Sequence, residues 1–109
     1  MKFLMLVCLD TEPVEPPDVD ADIDEWVSSN DAKGRRLIGY PVRPEFESTV
    51  VRVRGGKPFV SDGPFLETKE ILAGFDVLEC RDLDEAIEVA CGHPMAARGV
   101  LDLRPLIED

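Results

Sequence analysis

The sequence predicts an α+β fold: a ferredoxin-like sandwich with an inserted β-hairpin, in which two helices cover one face of an antiparallel sheet. Three observations carry this expectation. The patterns along the chain run strand, helix, strand, hairpin, strand, helix, strand. A Gly55-Gly56 pair separates two strand-like runs, and both glycines can take positive φ in a two-residue hairpin turn. The first strand is apolar at odd and even positions alike, so it is covered on both sides.

That first strand is residues 2–9, with Phe3, Met5, Val7 and Leu9 on one face and Leu4, Leu6 and Cys8 on the other. Asp10 and Glu12 follow at once and no small-residue cleavage site is present, so the run reads as a buried strand and not as a secretion signal. No run approaches the roughly 20 apolar residues of a membrane helix. Thr11 to Asp20 is rich in proline and acids, hence a surface loop. A helix is expected from about Asp22, with Ile23, Trp26 and Val27 at i, i+3, i+4, a D-x-x-E start at Asp22 and Glu25, and Gly34 as its stop. Leu37 to Val42 is a short strand, and Thr49 to Arg54 with Lys57 to Ser61 form the hairpin. Ala73 to Cys80 is the next strand. Asp82 and Glu85 make a capping box for a helix with Leu83, Ala86, Ile87 and Ala90 on its apolar face, ended by Gly92 and Pro94. Gly99 to Arg104 alternates as the last strand.

A chain of 109 residues fits one domain, 1–109, and its 44% hydrophobic and 32% charged residues are the balance of a folded protein. The formal net charge of −11 excludes nucleic acid as a partner, because phosphates need a Lys/Arg surface. Proteins or small molecules remain. Cys8, Cys80 and Cys91 are odd in number and lie in apolar contexts without a C-x-x-C pair, so they read as reduced core residues of a cytoplasmic protein. In a ferredoxin-like subunit the sheet face away from the helices is bare, and a first strand apolar on both faces predicts a homodimer packed sheet to sheet.

Chemistry-bearing residues cluster at SDGPFLETKE, 61–70, where a strand meets an acid, a glycine and a proline. Asp62 has two readings. Its carboxylate either caps the backbone N–H groups of the turn that Gly63 and Pro64 shape, or projects into a cleft where partial desolvation raises its pKa and lets it shuttle a proton. Glu67, Lys69 and Glu70 form either a solvated ion-pair cluster or, through Lys69, a hold on an anionic ligand. Arg104 either pairs with Asp102 or Glu108 or binds a carboxylate bidentately. His93, the one histidine, is either a general base or a residue that suits the negative end of the second helix. One histidine with scattered cysteines does not make a zinc site, no glycine loop for phosphate occurs, and no nucleophile has a recognisable partner set, so no metal or cofactor is implied.

DGPFLETKE (62–70), LAGFDVLECRDLDEAIEVACGHP (72–94) and VLDLRPL (100–106) together resemble the DGPF branch of the YCII-related domain family, over nearly the whole chain. The pattern departs at Ala73, where the family usually has glycine, and at Asp76, where it often has an aromatic residue. The resemblance implies a dimeric α+β barrel of ferredoxin-like subunits. In the wider superfamily, some relatives act on breakdown products of aromatic rings and rely on an Asp/His pair, and genes of this branch lie beside those for alternative sigma factors. Two functions follow as expectations. One is a small-molecule, anionic-ligand site between sheet and dimer partner, lined by Asp62, Phe65, Lys69, Arg104 and His93, with acid–base lyase-like chemistry left open. The other is a non-catalytic dimeric module that docks a regulatory protein.

Overall fold

The computed structural model describes residues 1–9, 19–63 and 71–108, with the backbone alone for 19–22. In chain order the elements are β1 (Lys2–Leu9), α1 (Val19–Ala32), β2 (Arg36–Pro41), β3 (Thr49–Arg54), β4 (Lys57–Asp62), β5 (Ile71–Glu79), α2 (Leu83–Cys91) and β6 (Gly99–Pro105). One sheet has the order β2-β5-β1-β6, antiparallel throughout; β3 and β4 pair by themselves. This is the ferredoxin-like order with the hairpin inserted between its second and third strands, as the element sequence predicts.

The odd positions of β1 make the core. Phe3 and Met5 are fully buried and Val7 nearly so, packed with Leu78 of β5, Trp26 of α1, and Ala86, Val89 and Ala90 of α2. Register extends this face outward: Met5 stands opposite Asp76 on one side and Leu103 on the other. Leu4 and Leu6 share the opposite face with Phe75 and Val77, and all four are half-buried there.

Helix ends follow local chemistry. Gly34 takes φ 68°, which lets Arg35 N–H reach the Asn30 carbonyl at 2.9 Å and Gly34 N–H the Asp31 carbonyl at 3.1 Å, so the last carbonyls of α1 are satisfied. Asp82 caps α2 by accepting from Glu85 N–H at 2.9 Å, while the Glu85 carboxylate accepts from Arg81 N–H and not from Asp82. The hairpin turn has Gly55 at φ 58° and Gly56 at φ 76°, the handedness that matches strand twist.

Several expectations need correction. α1 begins at Val19, so Asp22 and Glu25 lie within it and not at its start, because Val19-Asp20-Ala21 continues the helix by most of a turn. The buried side of α2 is Ala86, Val89 and Ala90, while Leu83 and Ile87 are exposed. Ala86, Val89 and Ala90 stand at i, i+3, i+4 and so share the face turned to the core. Cys91, the last residue of α2, is exposed, unlike the buried Cys8 and Cys80. Among the described residues no helix is long and apolar enough to cross a membrane.

Candidate functional site

β5 carries an acid where its alternation calls for an apolar residue. Gly74, Asp76 and Leu78 share the inward face, and Asp76 is only 6% exposed. A buried carboxylate needs a partner, and β2 supplies one. Arg36 Nε donates to Asp76 Oδ1 at 2.8 Å, Nη1 donates to both Asp31 oxygens at 3.0 and 3.3 Å, and Nη2 donates to the Gly39 carbonyl at 3.3 Å. Burial opposes the Arg36 charge, but bonding and attraction to Asp76 and Asp31 outweigh it, and its pKa lies above the ordinary value. The bulge between Arg36 and Ile38 accommodates this clamp by placing Gly39 directly opposite Asp76.

His93 stands on the other wall. It follows α2 and caps the 3₁₀ turn Pro94–Ala97, its Nδ1 accepting from Met95 N–H at 3.0 Å. With Nδ1 an acceptor, the neutral ring carries its proton on Nε2. The ring meets Trp26 edge-on, with centroids 4.7 Å apart and planes at 68°. The indole is fixed in turn by its Nε1–H, which donates to the Val89 carbonyl at 2.9 Å. His93 is 6% exposed, and this burial lowers its pKa; the attraction of Asp76 opposes the shift without cancelling it.

Between these walls lies a cavity of about 500 Å³, bounded by α1, β2, β5 and the 3₁₀ turn. Arg36, Asp76 and His93 are the charged or titratable lining residues of the inward face, and Tyr40 borders the cavity from β2. Val7, Ile23, Val27 and Met95 supply much of its apolar lining. The arrangement offers a carboxylate acceptor held by a guanidinium and an imidazole N–H donor, both in a setting of low dielectric that strengthens hydrogen bonds to a guest.

The residues expected from the sequence are distributed differently. His93 lines this cavity; Asp62 and Arg104 do not. Asp62 is exposed at the end of β4, opposite Thr49; the Gly63 N–H it was expected to cap donates instead to the Ser48 carbonyl at 2.9 Å, and Pro64 onward to residue 70 lies outside the described residues. Arg104 is exposed on the bare face of the sheet, with Nη2 3.5 Å from Asp102 Oδ2. Phe65 and Lys69 lie outside the described residues. Asp76, Arg36 and Gly39 were missed as site residues, although an acid at an inward strand position, between Gly74 and Leu78, is a signal the sequence carries.

Comparison with known proteins agrees with the family resemblance. An uncharacterized protein of Rhizobium meliloti (strain 1021) is 38% identical over 65 residues, covering 58% of this chain; the chain spans about half, 52%, of that relative's length. Among solved structures, 5-chloro-2-hydroxyhydroquinone dehydrochlorinase from Burkholderia phenoliruptrix AC1100, in complex with 2,5-dihydroxybenzoquinone, superposes with a TM-score of 0.49 at 14% identity, over 100% of this chain and 96% of that one. The model of the YCII-related domain matches residues 1–108, and the chain belongs to that family.

Proposed function

We propose that the cavity between Asp76 and His93 is an acid–base site for a small, mainly apolar molecule that carries a hydroxyl group. The observation behind this reading is the convergence of a buried carboxylate and a neutral, buried imidazole on one apolar cavity. Asp76 accepts the hydroxyl proton or hydrogen bond, and His93 Nε2–H donates to an oxygen elsewhere on the guest, so a proton taken by one side can be returned by the other. Charge favours a neutral guest over an anionic one. Arg36 is already shared by Asp31 and Asp76, and His93 adds no charge, so a second anion would face uncompensated carboxylate.

The assembly belongs to the same reading. A second copy packs against the bare sheet face, where Ile38 and Tyr40 are exposed and Leu4, Leu6, Phe75 and Val77 are half-buried. Asp62 would join a site only where that copy covers it, and the anionic-ligand role of Arg104 belongs to that face. The DGPF motif at 62–70 supports a place in that branch of the family.

Native mass spectrometry of protein purified under gentle conditions tests the reading, followed by a panel of small phenols and hydroquinones, neutral at about pH 7, as thermal-shift probes. Retained or added mass, and a stabilisation that Asp76→Asn and His93→Gln each reduce at least tenfold in apparent affinity, is the expected result. Equal binding by wild type and Asp76→Asn would remove Asp76 from the site. If Asp62→Asn alone abolished binding, the chemistry would belong to the hairpin end and not to this cavity.

A further inference from the structure

The β3–β4 hairpin has no place in the four-stranded sheet; its ladder runs only between its own strands. Register divides it into two faces. Val51 and Val53 stand opposite Val60 and Pro58, and Arg52 and Arg54 stand opposite Phe59 and Lys57. The valine face is open to solvent, with Val51 64%, Val53 58% and Val60 66% exposed. A lone two-stranded hairpin is marginal in water, and an uncovered valine stripe adds an association hazard. This one is nonetheless a regular six-residue ladder closed by a well-formed turn.

Charge indicates what covers it. Residues 49–62 hold Arg52, Arg54 and Lys57 against the single carboxylate of Asp62, within a chain whose formal net charge is −11. The arm is therefore basic and the rest of the molecule strongly acidic. A cationic, valine-faced ribbon on an acidic body is complementary to another acidic body of the same kind, and two copies related by a two-fold axis can exchange two such arms in a closed assembly. We infer that the hairpin is an arm that grips a second copy of this chain, with its valine face packed on the partner and Lys57, beside the turn at its tip, reaching the partner's carboxylates. This inference rests on the two-copy assembly proposed above and adds a second contact to it.

The test mixes unlabelled and ¹⁵N-labelled protein, lets the copies exchange, and joins amines to carboxylates with a carbodiimide before digestion and mass spectrometry. Lys57 peptides linked to acidic peptides of the other isotope are expected. Val51→Ser/Val60→Ser is expected to weaken the dimer at least tenfold in sedimentation equilibrium, and added salt to weaken it further. A dimer whose Lys57 links stay within one copy, and whose dissociation constant the double substitution leaves unchanged, would overturn the arm while leaving the sheet-to-sheet assembly standing. A chain that stays monomeric at all concentrations would overturn both. A wild-type dimer that shows Lys57 links between copies and that Tyr40→Asp dissociates would uphold both.

Discussion

Gly39 and Asp76 face each other across the β2–β5 ladder so closely that a Cβ at position 39 would fall on the Asp76 carboxylate and 2.8 Å from Arg36 Nη2. The missing side chain of one residue is the space the other occupies. Asp76 cannot swing aside cheaply, because Oδ1 is bonded to Arg36 and the group is buried. Gly39→Ala should therefore cost about 2 kcal/mol by overpacking, measured by urea denaturation. It should also weaken any guest of the cavity more than an alanine at exposed Gly34 or Gly55 would. A fully stable Gly39→Ala protein with an unmoved Asp76 would show that the carboxylate has room the structure denies it.

Removing the guanidinium tests the clamp from the other side. Arg36→Met leaves Asp76 buried without its partner, and breaking such a pair costs about 3 kcal/mol when the remaining charge stays desolvated. The double variant Arg36→Met/Asp76→Leu should recover much of that loss, since no unpaired charge remains. If the single and double variants were equally unstable, the cost would come from the lost Asp31 bond or from packing, and not from the stranded carboxylate.

His93 makes stability depend on pH with a definite sign. Its folded pKa lies below the ordinary 6.5 because the ring is buried, so as pH falls through about 6.5 the unfolded chain takes up a proton that the folded chain resists. Folding stability contributed by this group is thus present above that pH and declines below it, at a slope of up to about 1.4 kcal/mol per pH unit for one proton. His93→Gln should flatten the stability curve between pH 6.5 and the onset of carboxylate titration, as followed by thermal melts in a pH series. Identical slopes in the two proteins would mean that the ring titrates in the folded state as freely as in the unfolded one.

The elements were legible from the sequence because their signals are local. The doubly apolar β1, the Gly55-Gly56 turn, the Gly34 stop and the Asp82 cap each depend on residues within a few positions, and each appears in the structure near its expected bounds. The site was only half legible, because its parts are brought together by register. His93 was visible as the one histidine, but its partner Asp76 lies on a different element, and only the fold brings the two to one cavity. Asp76 stood out in the sequence as a departure from the family pattern and as an acid in the alternation of its strand, neither of which names its partner. Nothing local in the run from Arg36 to Gly39 announces that a bulge will turn its arginine inward.

β1 has one further consequence, for the order of events as the chain folds. It is the interior strand, yet both of its neighbours are far along the chain: Lys2 pairs with Glu79, and Phe3 with Pro105. During synthesis, this highly apolar segment emerges well before β5 and β6 and has neither edge paired until β5 and then β6 arrive. Contacts so distant in sequence close slowly, because loop entropy is spent before they form. The nascent chain therefore passes through a long interval in which Phe3 to Leu9 is an unprotected, aggregation-prone ribbon, and a chaperone that holds this one segment would govern the yield of folded protein.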